Sequence, residues 1–171
     1  VKSGIMLIDQ KRAHERILYE KFLECLRNNI PASQTDLYPH TIELGPADYA
    51  LLREVADDLK QLGLNIEFAG KNTIILKGRP SDSTSSDPVE MLEKIIEEYK
   101  SAGGDPAKGA REKLAGAMAG SAAIQYGKQL TQSEMEGLFD SLFACSAPNY
   151  SPKGKPVINI ITIEELDRKF K

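Results

Sequence analysis

Three carboxylates near the start of this 171-residue chain are the first side chains with chemistry to offer: Asp9, Glu15 and Glu20, within Ile8 to Glu20, IDQKRAHERILYE. An acid that ends a strand and opens a helix can cap that helix or ligate a metal ion. The plainer reading is an amphipathic surface helix with solvated charges. Glu15 and Glu20 are five positions apart and point in different directions from one helix, so a site built on them needs ligands from elsewhere. His14 and His40, the only histidines, read as surface or packing residues. Cys25 and Cys145 lack disulfide or zinc spacing, and Cys25 reads as a small core residue. Ser121 and Ser151 have no evident His or Asp relay, which argues against a nucleophilic hydrolase.

A second stretch, Ser33 to Pro39, reads SQTDLYP. Gln34 offers a polar side chain, Leu37 and Tyr38 offer apolar anchors, and Pro39 bounds the segment. Such a set suits an extended peptide docking in a partner's groove. The plain alternative is a loop between proline breakers. A third stretch, Ser151 to Phe170, reads SPKGKPVINIITIEELDRKF and joins a Pro/Gly-rich loop to a strand and a helix.

The elements that must position these residues follow from periodicity. Ile5 to Ile8 is a short apolar run that suits a strand, with Asp9 placed to cap a helix over Gln10 to Asn28. Asn29 to Tyr38 is expected as an irregular connection, and Thr41 to Leu44 as a strand. Pro46 opens a helix whose face is Leu52, Val55, Leu59 and Leu62, with Gly63 ending it. Leu64 to Phe68 and Thr73 to Leu76 read as a hairpin turning at Gly70, Lys71 and Asn72. Arg79 to Pro88 is expected as an exposed linker, with Asp87 and Pro88 opening the next helix. Gly103, Gly104 and Asp105 break that helix. Pro106 to about Tyr126 is expected as a long helix rich in small residues, and Gln132 to Phe143 as an amphipathic one. A loop from Cys145 to Pro156 leads to a strand over Val157 to Ile161. Thr162 and Glu165 form a capping box for a terminal helix. This mixture predicts an α+β fold.

Composition narrows the function classes. A net charge of −3 argues against holding DNA by bulk electrostatics and leaves room only for a local basic patch. No apolar run approaches the roughly 20 residues that span a bilayer. The opening segment from Val1 reads as strand rather than signal peptide, with a native start expected upstream. A reducing cytoplasm fits the two unpaired cysteines.

The three stretches together resemble the C-terminal dimerisation module of the MutL mismatch-repair family. Asp9, Gln10, Glu15 and Glu20 match the family's helix motif, as do the surrounding Ala13, His14, Arg16, Ile17, Leu18 and Tyr19. Gln34, Leu37 and Pro39 fit the sliding-clamp-binding pattern of bacterial members, at a similar distance from the helix motif. Pro152, Gly154 and Pro156 match the closing motif, with Lys155 in place of its Arg. Ala119 to Ile124, AGSAAI, is a weaker match to a middle motif.

The resemblance implies a discontinuous dimerisation lobe, residues 1–28 with 120–171, and an inserted regulatory lobe, residues 29–119. It implies a homodimer in DNA mismatch repair, docking on the sliding clamp through Gln34, Leu37, Tyr38 and Pro39. The mismatch-recognition protein MutS, DNA and an upstream ATP-binding region enter in the full-length protein, which is expected in the cytoplasm near the nucleoid. Nuclease-competent members bind metal through a helix His and Glu and through Cys and His of the later motifs. At those positions this chain has Lys11, Gly120, Ser151 and Lys153, so no metal, no cofactor and no nuclease activity are expected of the domain. Lys11 or Lys153 is expected to serve Glu15 as counter-charge. The competing expectation is an atypical metal-dependent nicking endonuclease using Asp9, Glu15 and Glu20.

Overall fold

The computed structural model describes residues 4–84, 87–103 and 109–170, Asp36 by its backbone alone. In chain order its first elements are β1 (Gly4–Ile8), α1 (Gln10–Asn28), β2 (Gln34–Glu43), α2 (Pro46–Glu54), α3 (Ala56–Gln61) and β3 (Asn65–Gly70). They are followed by β4 (Thr73–Pro80), α4 (Pro88–Ala102), α5 (Ala110–Ala122), α6 (Gln132–Ala144), β5 (Ile158–Thr162) and α7 (Ile163–Arg168). The fold is α+β. Two compact units divide the chain, Val1–Ile17 with Ile124–Lys171, and Leu18–Ala123.

The first unit is built on a two-stranded antiparallel ribbon of β1 and β5, in which Ile5 faces Ile161 and Leu7 faces Asn159. The strands approach so closely at Gly4 that a methyl group there would collide with the carbonyl oxygen of Ile161. Opposed residues of an antiparallel pair share a face. Ile8 and Ile158 therefore lie together, and with Ile17 and Leu138 they pack on Ala13, Leu142 and Val157. The opposite face carries Ile5 and Leu7, both exposed. Two capping boxes fix helix starts: Thr131 with Glu134 for α6, and the expected Thr162 with Glu165 for α7.

The second unit packs helices on an antiparallel sheet of order β2-β4-β3. Central strand β4 alternates, burying Ile74 and Leu76. Those residues join Leu52, Leu59 and Leu62, the inward stripe of α4 (Met91, Leu92, Ile95, Ile96) and the small residues of α5 in one core. The alanines of α5 let α4 approach closely, and the buried Ser121 hydroxyl is satisfied by donating to the Met91 carbonyl at 2.8 Å. Asp87 caps α4, accepting from Val89 N and Glu90 N.

Several boundaries differ from those expected. Residues 34–38 are strand, not irregular connection: Gln34, Thr35 and Asp36 pair with Pro80, Arg79 and Gly78. The same pairing draws Arg79 and Pro80 out of the expected linker and into β4. A short polar stretch shows no alternation, but an edge strand needs only backbone pairing on one side and admits Pro39 at the irregularity between Asp36 and His40. The helix expected after Pro46 breaks at Val55 (φ −103°, ψ 12°) into α2 and α3. Helix α5 ends at Ala122 rather than near Tyr126, because Ala123 is extended and the Ile124 amide donates to His14 Nδ1 at 3.1 Å. The expected break at Gly104 and Asp105 and the helix start at Pro106 lie outside the described residues, as do Ser85 and Ser86 of the expected linker.

Candidate functional site

At the head of α1, Asp9 caps the helix as its position suggested. Its Oδ1 accepts from the Arg12 amide at 3.0 Å, and its Oδ2 meets Arg12 Nε at 3.2 Å and the Tyr126 hydroxyl at 3.3 Å. Lys11 turns toward the 125–127 turn: its ammonium lies 3.5 Å from Gln125 Oε1 and 5.0 Å from the centre of the Tyr126 ring. These residues line an open depression of about 600 Å³. Asp9 is thus engaged as a cap, and Lys11 is held by an amide and a ring face.

One turn further on, α1 presents Arg12, Glu15 and Arg16, three and four positions apart and hence on one side of the helix. Glu15 is only 5% exposed, which overturns the plain reading of solvated charges at this position. Lys153 lies 3.6 Å from Glu15 Oε1, so of the two lysines considered it is Lys153 that supplies the counter-charge. The loop carrying it is held at both ends by α1, with Arg16 Nε donating to Tyr150 O at 2.6 Å and Arg12 donating to Pro156 O at 2.8 Å.

The loop also closes on itself. The Ser151 amide donates to Lys155 O at 2.8 Å, the Gly154 amide to Ser151 O at 2.9 Å, and the Lys155 amide to Ser151 Oγ at 3.2 Å. Ser151 is buried, and Gly154 has φ +74°, a conformation that costs glycine little. The matched residues of the closing stretch therefore build a rigid turn that presents Lys153.

Glu20 and Gly120 belong to the second unit. Glu20 is half-buried. A Cβ on Gly120 would run into the Glu98 carboxylate, so the end of that side chain occupies the space a larger residue would need. Among the described residues no three of His, Cys, Asp and Glu converge as a metal-binding group.

The stretch Gln34 to Pro39 lies on β2, an outer strand of its sheet. Gln34 and Pro39 are exposed, and Tyr38 is 92% exposed. Leu37 instead packs against the core of its unit. The two apolar anchors are therefore split, one inward and one outward.

His14 has a role that the sequence did not reveal. Its Nδ1 accepts the Ile124 amide, 110 positions away, so the neutral ring carries its proton on Nε2. The only signal was a histidine on the buried side of an amphipathic helix, which named no partner. Burial pushes the Cys25 thiol up from its ordinary value, consistent with an inert core residue.

Comparison with known proteins places this geometry in a family. The family model described as the MutL C terminal dimerisation domain matches residues 1–130. Curated relatives extend the match over 170 residues, 99% of the chain. They include the DNA mismatch repair proteins MutL of Chlorobium phaeobacteroides (strain BS1), 38% identical, and of Prosthecochloris aestuarii, 39% identical. That of Chloroherpeton thalassium is 36% identical over the same span. The chain spans 27% of the length of each of these relatives. The closing stretch with Ser151 and Lys153 lies beyond the family model but within the span shared with these relatives. The chain belongs to the family of MutL C-terminal dimerisation domains.

Proposed function

We propose that this chain is the assembly module of a DNA mismatch-repair protein. It self-associates as a homodimer through the first unit, docks on the sliding clamp of the replicative polymerase through β2, and performs no hydrolysis. The observation that carries this reading is the distribution of apolar surface. Among the described residues, ten of the twelve exposed large hydrophobic residues belong to the first unit, whose core cluster has three buried members. Ile5 and Leu7 share one ribbon face, and Met135, Phe139 and Phe143 recur every fourth residue along α6. Apolar surface of this kind gains by burial against a second copy across a two-fold axis.

Clamp docking is supported by the exposure of Gln34, Tyr38 and Pro39 on an outer strand and by their match to the family's pattern. The family's nuclease metal does not fit the residues present. Lys11 and Lys153 are cationic, Gly120 offers no side-chain ligand, and the Ser151 hydroxyl accepts the Lys155 amide. MutS, DNA and an upstream ATP-binding region are partners of the longer protein in this reading, which places it in the cytoplasm near the nucleoid.

Sedimentation of the domain and of an Ile5→Lys/Leu7→Lys variant tests the assembly reading. The parent should dimerise, and the variant should be a folded monomer. A parent that stays monomeric at about 100 μM sinks it. Titration against the sliding clamp should give a Kd on the order of micromolar, lost in Gln34→Ala/Tyr38→Ala. No binding by the parent removes docking from the reading. The nicking alternative requires metal-stimulated nicking of supercoiled plasmid that Glu15→Ala abolishes.

A further inference from the structure

We propose that the Glu15–Lys153 ion pair is a latch that locks the 150–156 loop onto α1 and thereby holds β5 in register on β1. Three observations carry it. Glu15 is almost wholly buried, and the ammonium that faces its carboxylate arrives from a different part of the chain. Lys153 is delivered by a turn whose own hydrogen bonds, from Ser151 to Lys155, keep it closed, so the ammonium moves with the loop as one body. The loop runs directly into β5: the Val157 amide donates to Asn149 O, and Val157 O accepts the Asp9 amide, both at 2.9 Å. The same backbone that ends the loop therefore joins the start of α1 to the first ribbon pair, Ile8 with Ile158.

The two arginine contacts at the loop ends add to this hold from exposed positions, where they compete with water. The Glu15 contact differs, because its carboxylate is shielded from water: removing Lys153 takes a cationic partner from a buried charge, whereas replacing both residues removes that charge as well. This asymmetry separates a latch from an incidental contact. Releasing it frees residues 149–162 and leaves the second unit's core, to which none of them contributes, intact. The effect on self-association rests on the assembly reading above; the effect on the ribbon does not.

The test is hydrogen exchange on the whole domain for the parent, Lys153→Met, and Glu15→Gln/Lys153→Met. In Lys153→Met, amides of β1 and β5 should exchange faster by roughly tenfold or more, while buried amides of α4 and α5 keep their protection. The double variant should return β1 and β5 to within about threefold of the parent. Unchanged exchange in Lys153→Met overturns the latch, and so does a double variant no better protected than the single. If Lys153→Met fails to fold, recovery of the fold in the double variant supports the latch and continued failure overturns it. Sedimentation of the same proteins separates the two readings: a monomeric parent whose ribbon still responds to Lys153→Met keeps the latch and removes the dimer.

Discussion

Among the described residues, the second unit buries twenty-four apolar residues in one cluster and leaves two large hydrophobic residues, Ile30 and Tyr38, exposed; the first gathers three in its buried cluster and exposes ten. The second unit has the means to be stable alone. In the first, a two-stranded ribbon, marginal by itself, is supported by α6, the start of α1 and the ion pair of the buried Glu15. One unit spends its apolar residues on its own interior, and the other keeps them on its surface.

The largest test of this contrast is a core truncation. Leu59→Ala in the second unit should cost about 2–5 kcal/mol in denaturant unfolding, because a fully buried side chain is removed from a packed cluster. A loss no larger than that of exposed-site substitutions would show that this core is not the stable part. A smaller effect is expected from His14→Ala in the first unit, which deprives the buried Ile124 amide of its acceptor and should cost about 1–2 kcal/mol. If unfolding is unchanged, that amide has another partner and the turn after α5 is fixed differently.

The smallest effect concerns the exposed start of α6. The Thr131 backbone amide, and then its hydroxyl, hold the Glu134 carboxyl below its ordinary value. A carboxyl lowered by folding contributes stability above its unfolded value and loses that contribution as the pH falls through its folded one. Carboxyl titration by NMR should find Glu134 ionised below the ordinary glutamate range, a lowering that Thr131→Ala should reduce. A Glu134 titration that Thr131→Ala leaves unchanged would remove the capping box in solution.

Helices were the legible part of this fold. Apolar spacing and local caps, such as Asp9 before α1, Asp87 with Pro88, and Thr162 with Glu165, are written within a few residues of where they act. The start of β2 and the end of β4 were not, because Gln34 to Asp36 and Arg79–Pro80 become strand only through pairing with each other. The candidate site divides in the same way. The cap role of Asp9 was local and readable. The ion pair of Glu15 and the acceptor role of His14 depend on Lys153 and Ile124, more than a hundred positions away. The residues matched to the family gave their positions, while the separation of Leu37 from Tyr38 came only with the sheet.

The pairing of β1 with β5 also sets a timetable. A ribosome releases the chain from its N-terminus at about 5–20 residues per second. Gly4–Ile8 therefore emerges long before its partner Ile158–Thr162, while Leu18–Ala123 is complete in between. The ribbon can close only after the second unit has been made, and any assembly that uses its face waits for β5. Neighbouring nascent chains on one message are thus kept from joining through this ribbon until each has made its own second strand.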